Sequence, residues 1–224
     1  MPSDKTDALT RWLLACGALG GFGFIAVFLI AGAIRPHYDP LYNPVSALSL
    51  SDGGWVQIAN FVVTGLLMLA CAVGLRRALS SGRGATWGPI LIGIYGLGQV
   101  GAGVFVTDPG FGYPPGAPSG VPATASLHGT LHTLVSIVVF VAVSIACFVF
   151  ARRFSAPPRS RIWAVYSFLT GLAVPAFLVA SSVAWFHGGP GGLFQRLSIS
   201  AGWAWVALLA IRMLRGLRNQ TESC

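Results

Sequence analysis

The sequence predicts an all-α integral membrane bundle of six transmembrane helices, paired as three hairpins with both termini cytoplasmic. Composition is the first reason. Hydrophobic residues make up 54% of the 224 and charged residues only 9%, with a mean hydropathy of +0.73, a balance that leaves too little polar surface for a water-soluble domain. The second reason is segmentation into windows at 12–34, 55–75, 87–107, 127–150, 162–186 and 193–214. Each is near the roughly 20 residues that a helix needs to cross about 30 Å of hydrocarbon. Their apolar runs are continuous and lack the period-two alternation of a membrane barrel. The third is charge placement: of the 14 Lys and Arg residues, all but Arg35 and Arg196 fall at one end of the predicted hairpins. The positive-inside rule makes that end cytoplasmic.

The first window follows Lys5 and Arg11 and ends in Ala31-Gly32-Ala33, which resembles a signal-peptidase site. Its apolar run exceeds the roughly 7–15 residues of a signal-peptide core, so it is expected to stay as a span. The second follows the turn and cap sequence "SDGG" and carries Gln57, Asn60 and Thr64 at i, i+3 and i+7. One helix face therefore holds all three, either bonding to a neighbouring helix or lining a cavity. The third, "GPILIGIYGLGQVGAG", is rich in glycine, which lets a helix or a lipid chain approach its backbone. Pro89 and Pro175 predict local kinks in the third and fifth windows. Arg196 and Arg212 mark the ends of the sixth. No linker is long enough to divide the chain, so residues 1–224 are read as one domain.

A weak repeat supports the hairpins. "GAIRPHYDP" echoes "GVFVTDPGFGYP", aligning Asp39-Pro40 with Asp108-Pro109, and "ACAVGLRRALS" echoes "ACFVFARRFSA". Cys16, Cys71 and Cys147 fall within helices and Cys224 ends the chain, an arrangement that suits packing rather than a disulfide framework. The net charge of +8 fits anionic membrane lipids and gives no reason to invoke nucleic acid.

The end of the bundle with few basic residues collects the versatile chemistry. His37, His128, His132 and His187 are the only histidines, and each lies in or beside a loop predicted to face outward, as do Asp39, Asp52 and Asp108. In "HGTLH", His128 and His132 are one helical turn apart, a spacing that can hold zinc between two imidazoles. His187, Asp108 or Asp39 would supply a third ligand, and Asp39 or Asp108 the general base for metal-assisted hydrolysis. The glutamate of H-E-x-x-H is missing, however, and the bland alternative is a pair of interfacial hydrogen-bonding histidines. A haem reading lacks a second, inward-facing histidine pair.

The loop "IRPHYDPLYNPVSALSLSDGGW" has its shape set by Pro36, Pro40 and Pro44, and "NPVSALSL" is expected to fold back as a short helix, a lid or site wall. Arg35, His37 and Arg196 are candidates to grip an anionic headgroup. The alternative is that Arg35 pairs with Asp39 or Asp52 and pins the loop.

The segment "RPHYDPLYNPVSALSLSDGGWVQIANFVVTGLLMLACAVGLRR", followed by "HGTLHTLVSIVVF", resembles the bacterial and archaeal membrane family termed domain of unknown function 998. The likeness covers nearly the whole chain. It implies a multi-pass protein of a bacterial or archaeal cell membrane and weight for Arg35, Tyr38, Asp39, Pro40, Ser46 and HGTLH, but no reaction. A remoter likeness to Frag1-like lipid-remodelling proteins is one of fold alone.

Two classes of function follow. One is an outer-leaflet enzyme acting on a lipid or lipid-linked substrate, with Asp39 and Asp108 catalytic, His128, His132 and His187 on zinc, and Arg35, Tyr38, Ser46, Asn60 and Arg196 holding substrate. The other is a non-enzymatic module that binds lipid or a partner membrane protein. No charged residue sits mid-membrane to couple ions, which disfavours a transporter. The sequence assigns no oligomeric state.

Overall fold

The computed structural model describes residues 4–79, 81–156 and 160–222; Arg159 and Cys224 lie outside them. The described residues form six long helices: α1 (Asp4–Ile34), α2 (Gly54–Ala78), α3 (Trp87–Val104), α4 (Leu127–Phe154), α5 (Arg161–Phe186) and α6 (Gly191–Glu222), with a short 3₁₀ helix at Val45–Ser49 between α1 and α2. All six are long and apolar enough to cross a membrane.

Several helices outrun their expected ends. α2 and α4 carry Arg76-Arg77 and Arg152-Arg153 in their last turns, where long side chains keep their charge in the headgroup region while the backbone stays helical. α3 stops early, at Val104, where Phe105 turns to extended backbone and its amide closes on Gly101. That early stop shapes the site described below.

Each helix packs on its neighbours in chain order, and α6 closes back on α1, so the six stand in a ring. A close backbone approach joins α2 and α3. A Cβ added at Gly65 would lie 2.7 Å from the Gly96 carbonyl oxygen, and one at Gly96 would lie 2.8 Å from that of Gly65. The glycines thus serve helix packing, which in lipid depends on close backbone contact.

Inside the ring, Phe24 stacks on Trp203 at 4.5 Å between centroids, with Tyr95 edge-on to the same indole at 5.0 Å. Such pairs contribute about 1 kcal/mol each beyond area burial. Cys71 and Cys147 are buried free thiols, as packing predicts. Gln57, Asn60 and Thr64 are buried on one face of α2. Asn60 donates to the Phe24 carbonyl on α1 at 3.2 Å and to Gln57 Oε1 at 3.3 Å, and the Thr64 hydroxyl donates to the Asn60 carbonyl. The stripe binds α2 to α1. Outside the ring, Trp12, Trp55 and Trp87 are exposed near helix ends, where indoles favour the interface between hydrocarbon and headgroups.

Candidate functional site

The loop end of the bundle is capped by two crossing loops, 35–53 and 105–126. Arg35 fixes the first by donating to four backbone carbonyls: Asp52 at 2.6 Å, Gly53 at 2.8 Å, and Leu48 and Leu50 at 3.4 Å each. The guanidinium meets the main chain of Asp52, not its carboxylate, so it pins the loop by a different bond from the expected ion pair. Arg196, buried on α6, donates to the Asn43 carbonyl at 2.9 Å, to Gly192 at 3.1 Å and to the Tyr38 hydroxyl. The Tyr38 hydroxyl in turn donates a hydrogen bond to the Pro44 carbonyl at 3.0 Å. Burial pushes the Tyr38 phenol up to about 12, opposed by the charge and hydrogen bond of Arg196. It stays neutral at physiological pH.

The loops are also tied to each other and to α5 and α6. Asn43 donates to the Phe111 carbonyl at 2.6 Å, Tyr42 to the Ser119 carbonyl at 2.8 Å, and the hydroxyls of Ser51 and Tyr113 are hydrogen-bonded to each other at 2.8 Å. From α5, Trp185 donates to the Tyr42 carbonyl at 2.7 Å, and on α6 the Gln195 side chain accepts from the Val45 amide at 2.8 Å. The expected lid is present, and its 3₁₀ helix is the predicted inward fold of "NPVSALSL".

Beneath this lid lies a cavity of about 790 Å³, within the range of small-molecule binding pockets. Ser46 and Asp108 line its loop end, His132 and Gln99 its wall, and Trp203 and Tyr95 its floor. Ile137 of α4 and Phe186 of α5 line it while remaining 53% and 86% exposed, so its side opening lies between these helices. Toward the basic end α4 and α5 close up: a Cβ at Gly171 would meet Phe148 at 2.9 Å, and Phe148 packs on Phe168. Pro175 lies in α5 between the closed and open parts, at a residue type that removes one ladder N–H and bends helices.

The polar wall is specific. Ser126 caps α4, accepting from the Gly129 amide at 3.0 Å, and Asp108 holds that cap by accepting from the Ser126 amide at 2.8 Å and its hydroxyl at 2.6 Å. A carboxylate here also meets the positive end of the helix dipole. His132 is buried, with Nδ1 2.7 Å from the Phe105 carbonyl and 3.2 Å from that of Ala102. Carbonyls only accept, so Nδ1 carries a proton, and in the neutral imidazole Nε2 keeps its lone pair for another donor. Gln99 is 5% exposed, and its Oε1 has no hydrogen-bond partner in the protein.

The structure does not gather the expected zinc ligands. His128 is exposed beside the Phe105 ring, because α3 ends too early to cover the first turn of α4, whereas His132 lies one turn deeper against the end of α3. His187 is exposed against Phe186, and Asp39 is exposed and closes its own turn by accepting from the Leu41 amide at 2.8 Å. Among the described residues, no three His, Cys, Asp or Glu side chains are grouped to hold a metal ion. These donors do not fit zinc. His37 is likewise exposed, with left-handed backbone in the loop. Asn60 serves the α1–α2 contact. Of the predicted site residues, Ser46, Asp108 and His132 share the cavity wall.

Gln99 is the residue that sequence reasoning passed over. An amide inside a membrane helix is itself a signal, and here it was hidden among glycines.

Fold and site together define a multi-pass membrane protein with a mainly apolar cavity at one end. The chain belongs to the family described as protein of unknown function DUF998, whose model matches residues 18–212. No curated protein and no solved structure matches it.

Proposed function

We propose that this protein binds a lipid-like amphiphile in the loop-end cavity, taken from the membrane through the opening between α4 and α5. The observation that carries the reading is Gln99. A buried carbonyl oxygen without a partner costs about 1–3 kcal/mol, and on the wall of an apolar cavity it is offset by a ligand hydroxyl or amide. The distribution of arginine supports an outward-facing cavity, with both termini cytoplasmic. In this reading the protein is one domain and membrane lipid is its source of ligand.

The test is lipid extraction and native mass spectrometry of the purified chain beside Gln99→Leu and Ser136→Phe, the latter filling the cavity. Wild type retains a lipid species enriched over the bulk extract, Gln99→Leu binds it roughly tenfold more weakly for one lost hydrogen bond, and Ser136→Phe loses it. Equal retention by all three overturns the proposal.

A second reading, hydrolysis of a lipid-linked substrate, is favoured by one observation: the free lone pair of His132 lies on the cavity wall near Asp108. His132 would accept a proton from water or a substrate hydroxyl, with Asp108 holding the first turn of α4 in place. His132→Asn would then abolish turnover of a fluorogenic acyl ester while leaving lipid retention intact. Unchanged turnover removes this reading.

A further inference from the structure

We propose a second binding site at the opposite, basic end of the bundle, for the anionic phosphate headgroup of a membrane lipid. A cavity of about 770 Å³ lies there between the α2–α3 loop, the end of α4, the start of α5 and the end of α6. Four arginines line it: Arg83, Arg153, Arg212 and Arg215. None of the described lining residues is acidic. The rest of the wall is largely apolar, including Leu79, Phe154, Trp163 and Leu208.

The four arginines have different tasks. Arg153 donates to the carbonyls of Ser81 at 3.2 Å and Arg83 at 2.8 Å, and so shapes the 81–83 turn. Arg212 lies 4.8 Å over the Phe154 ring and 5.0 Å over that of Trp163. Stacking holds its plane and leaves the guanidinium edge free to fork onto phosphate oxygens. Arg83 and Arg215 are exposed at the rim. A planar cation fixed by aromatic rings, two exposed cations beside it and an apolar wall suit a phosphodiester joined to acyl chains better than a free anion, which has no use for the wall. Basic pockets at the ends of transmembrane helices bind anionic lipid headgroups by this chemistry.

Native mass spectrometry of the detergent-purified full chain tests it, with dioleoyl phosphatidylglycerol and dioleoyl phosphatidylcholine as probes and sodium phosphate as competitor. Wild type binds phosphatidylglycerol roughly tenfold more tightly than phosphatidylcholine. In Arg83→Gln/Arg215→Gln, whose side chains are exposed and whose fold is retained, that preference falls to about twofold or less. Ser136→Phe, which fills the other cavity, keeps the full preference. Equal binding of the two lipids by wild type, an unchanged preference in the double variant or its loss in Ser136→Phe overturns the proposal. Displacement by millimolar phosphate also overturns it, because the site would then read a free anion.

Discussion

The two ends of the bundle use arginine differently, Arg153 excepted, since at the basic end it too is bound to backbone carbonyls. At the loop end, Arg35 and Arg196 spend their donors on backbone carbonyls and a phenol, and the loops they hold form a fixed lid. At the basic end, Arg83 and Arg215 stand exposed on the rim of a cavity, beside Arg212 stacked on two rings. The same side chain is structural where it is buried among carbonyls and available to ligands where it is not. Charge alone therefore does not locate a binding site; the occupancy of the donors does.

The sharpest way to break this contrast is Arg196→Ala. It leaves the Asn43 and Gly192 carbonyls and the Tyr38 hydroxyl short of a donor, and the expected loss is roughly 3–5 kcal/mol of stability, read from unfolding in detergent. An effect below about 1 kcal/mol would show that Arg196 is not the pin. Asp108→Asn comes next. It weakens the cap of α4, with an expected cost of about 1 kcal/mol in the same assay; a cost near zero would remove the capping role. Gln99→Leu should have the reverse sign, leaving stability unchanged or raising it by about 1 kcal/mol by removing an unpartnered oxygen. Destabilisation there would mean that the amide is satisfied within the fold.

At the basic end, Arg83→Gln/Arg215→Gln should change stability by less than about 0.5 kcal/mol while altering lipid preference. Within the physiological range the smallest effect belongs to pH. The folded Tyr38 phenol is raised to about 12 from 10, so its contribution to stability is complete below about 10 and is lost as pH rises from there through 12. Between pH 6 and 9 this group should contribute no slope, and the difference between the ultraviolet titrations of wild type and Tyr38→Phe should be a tyrosine that ionises late.

The spans were legible because hydrocarbon imposes a length and an apolar composition that residues cannot disguise. The inward turn of the 45–49 segment was legible from proline and turn chemistry. What the arginines touch was not, since a backbone carbonyl has no signature in sequence and any residue can supply it. The two histidines of HGTLH illustrate a different gap. Their spacing correctly puts them one turn apart, but which turn is covered depends on where α3 stops, three residues short of the expected end at 107. Asp39 and Asp108 are equivalent in the repeat, yet one closes a three-residue turn and the other holds the N-cap residue of a helix 18 positions downstream.

Because the helices follow one another around a closed circle and α6 lies against α1, the first and last helices are neighbours in space. Joining them by a short polar linker and cutting the chain between residues 81 and 86 would give a circular permutant in which every helix keeps its partners. Its assembly would show whether the order of synthesis matters to this architecture, or only the set of contacts.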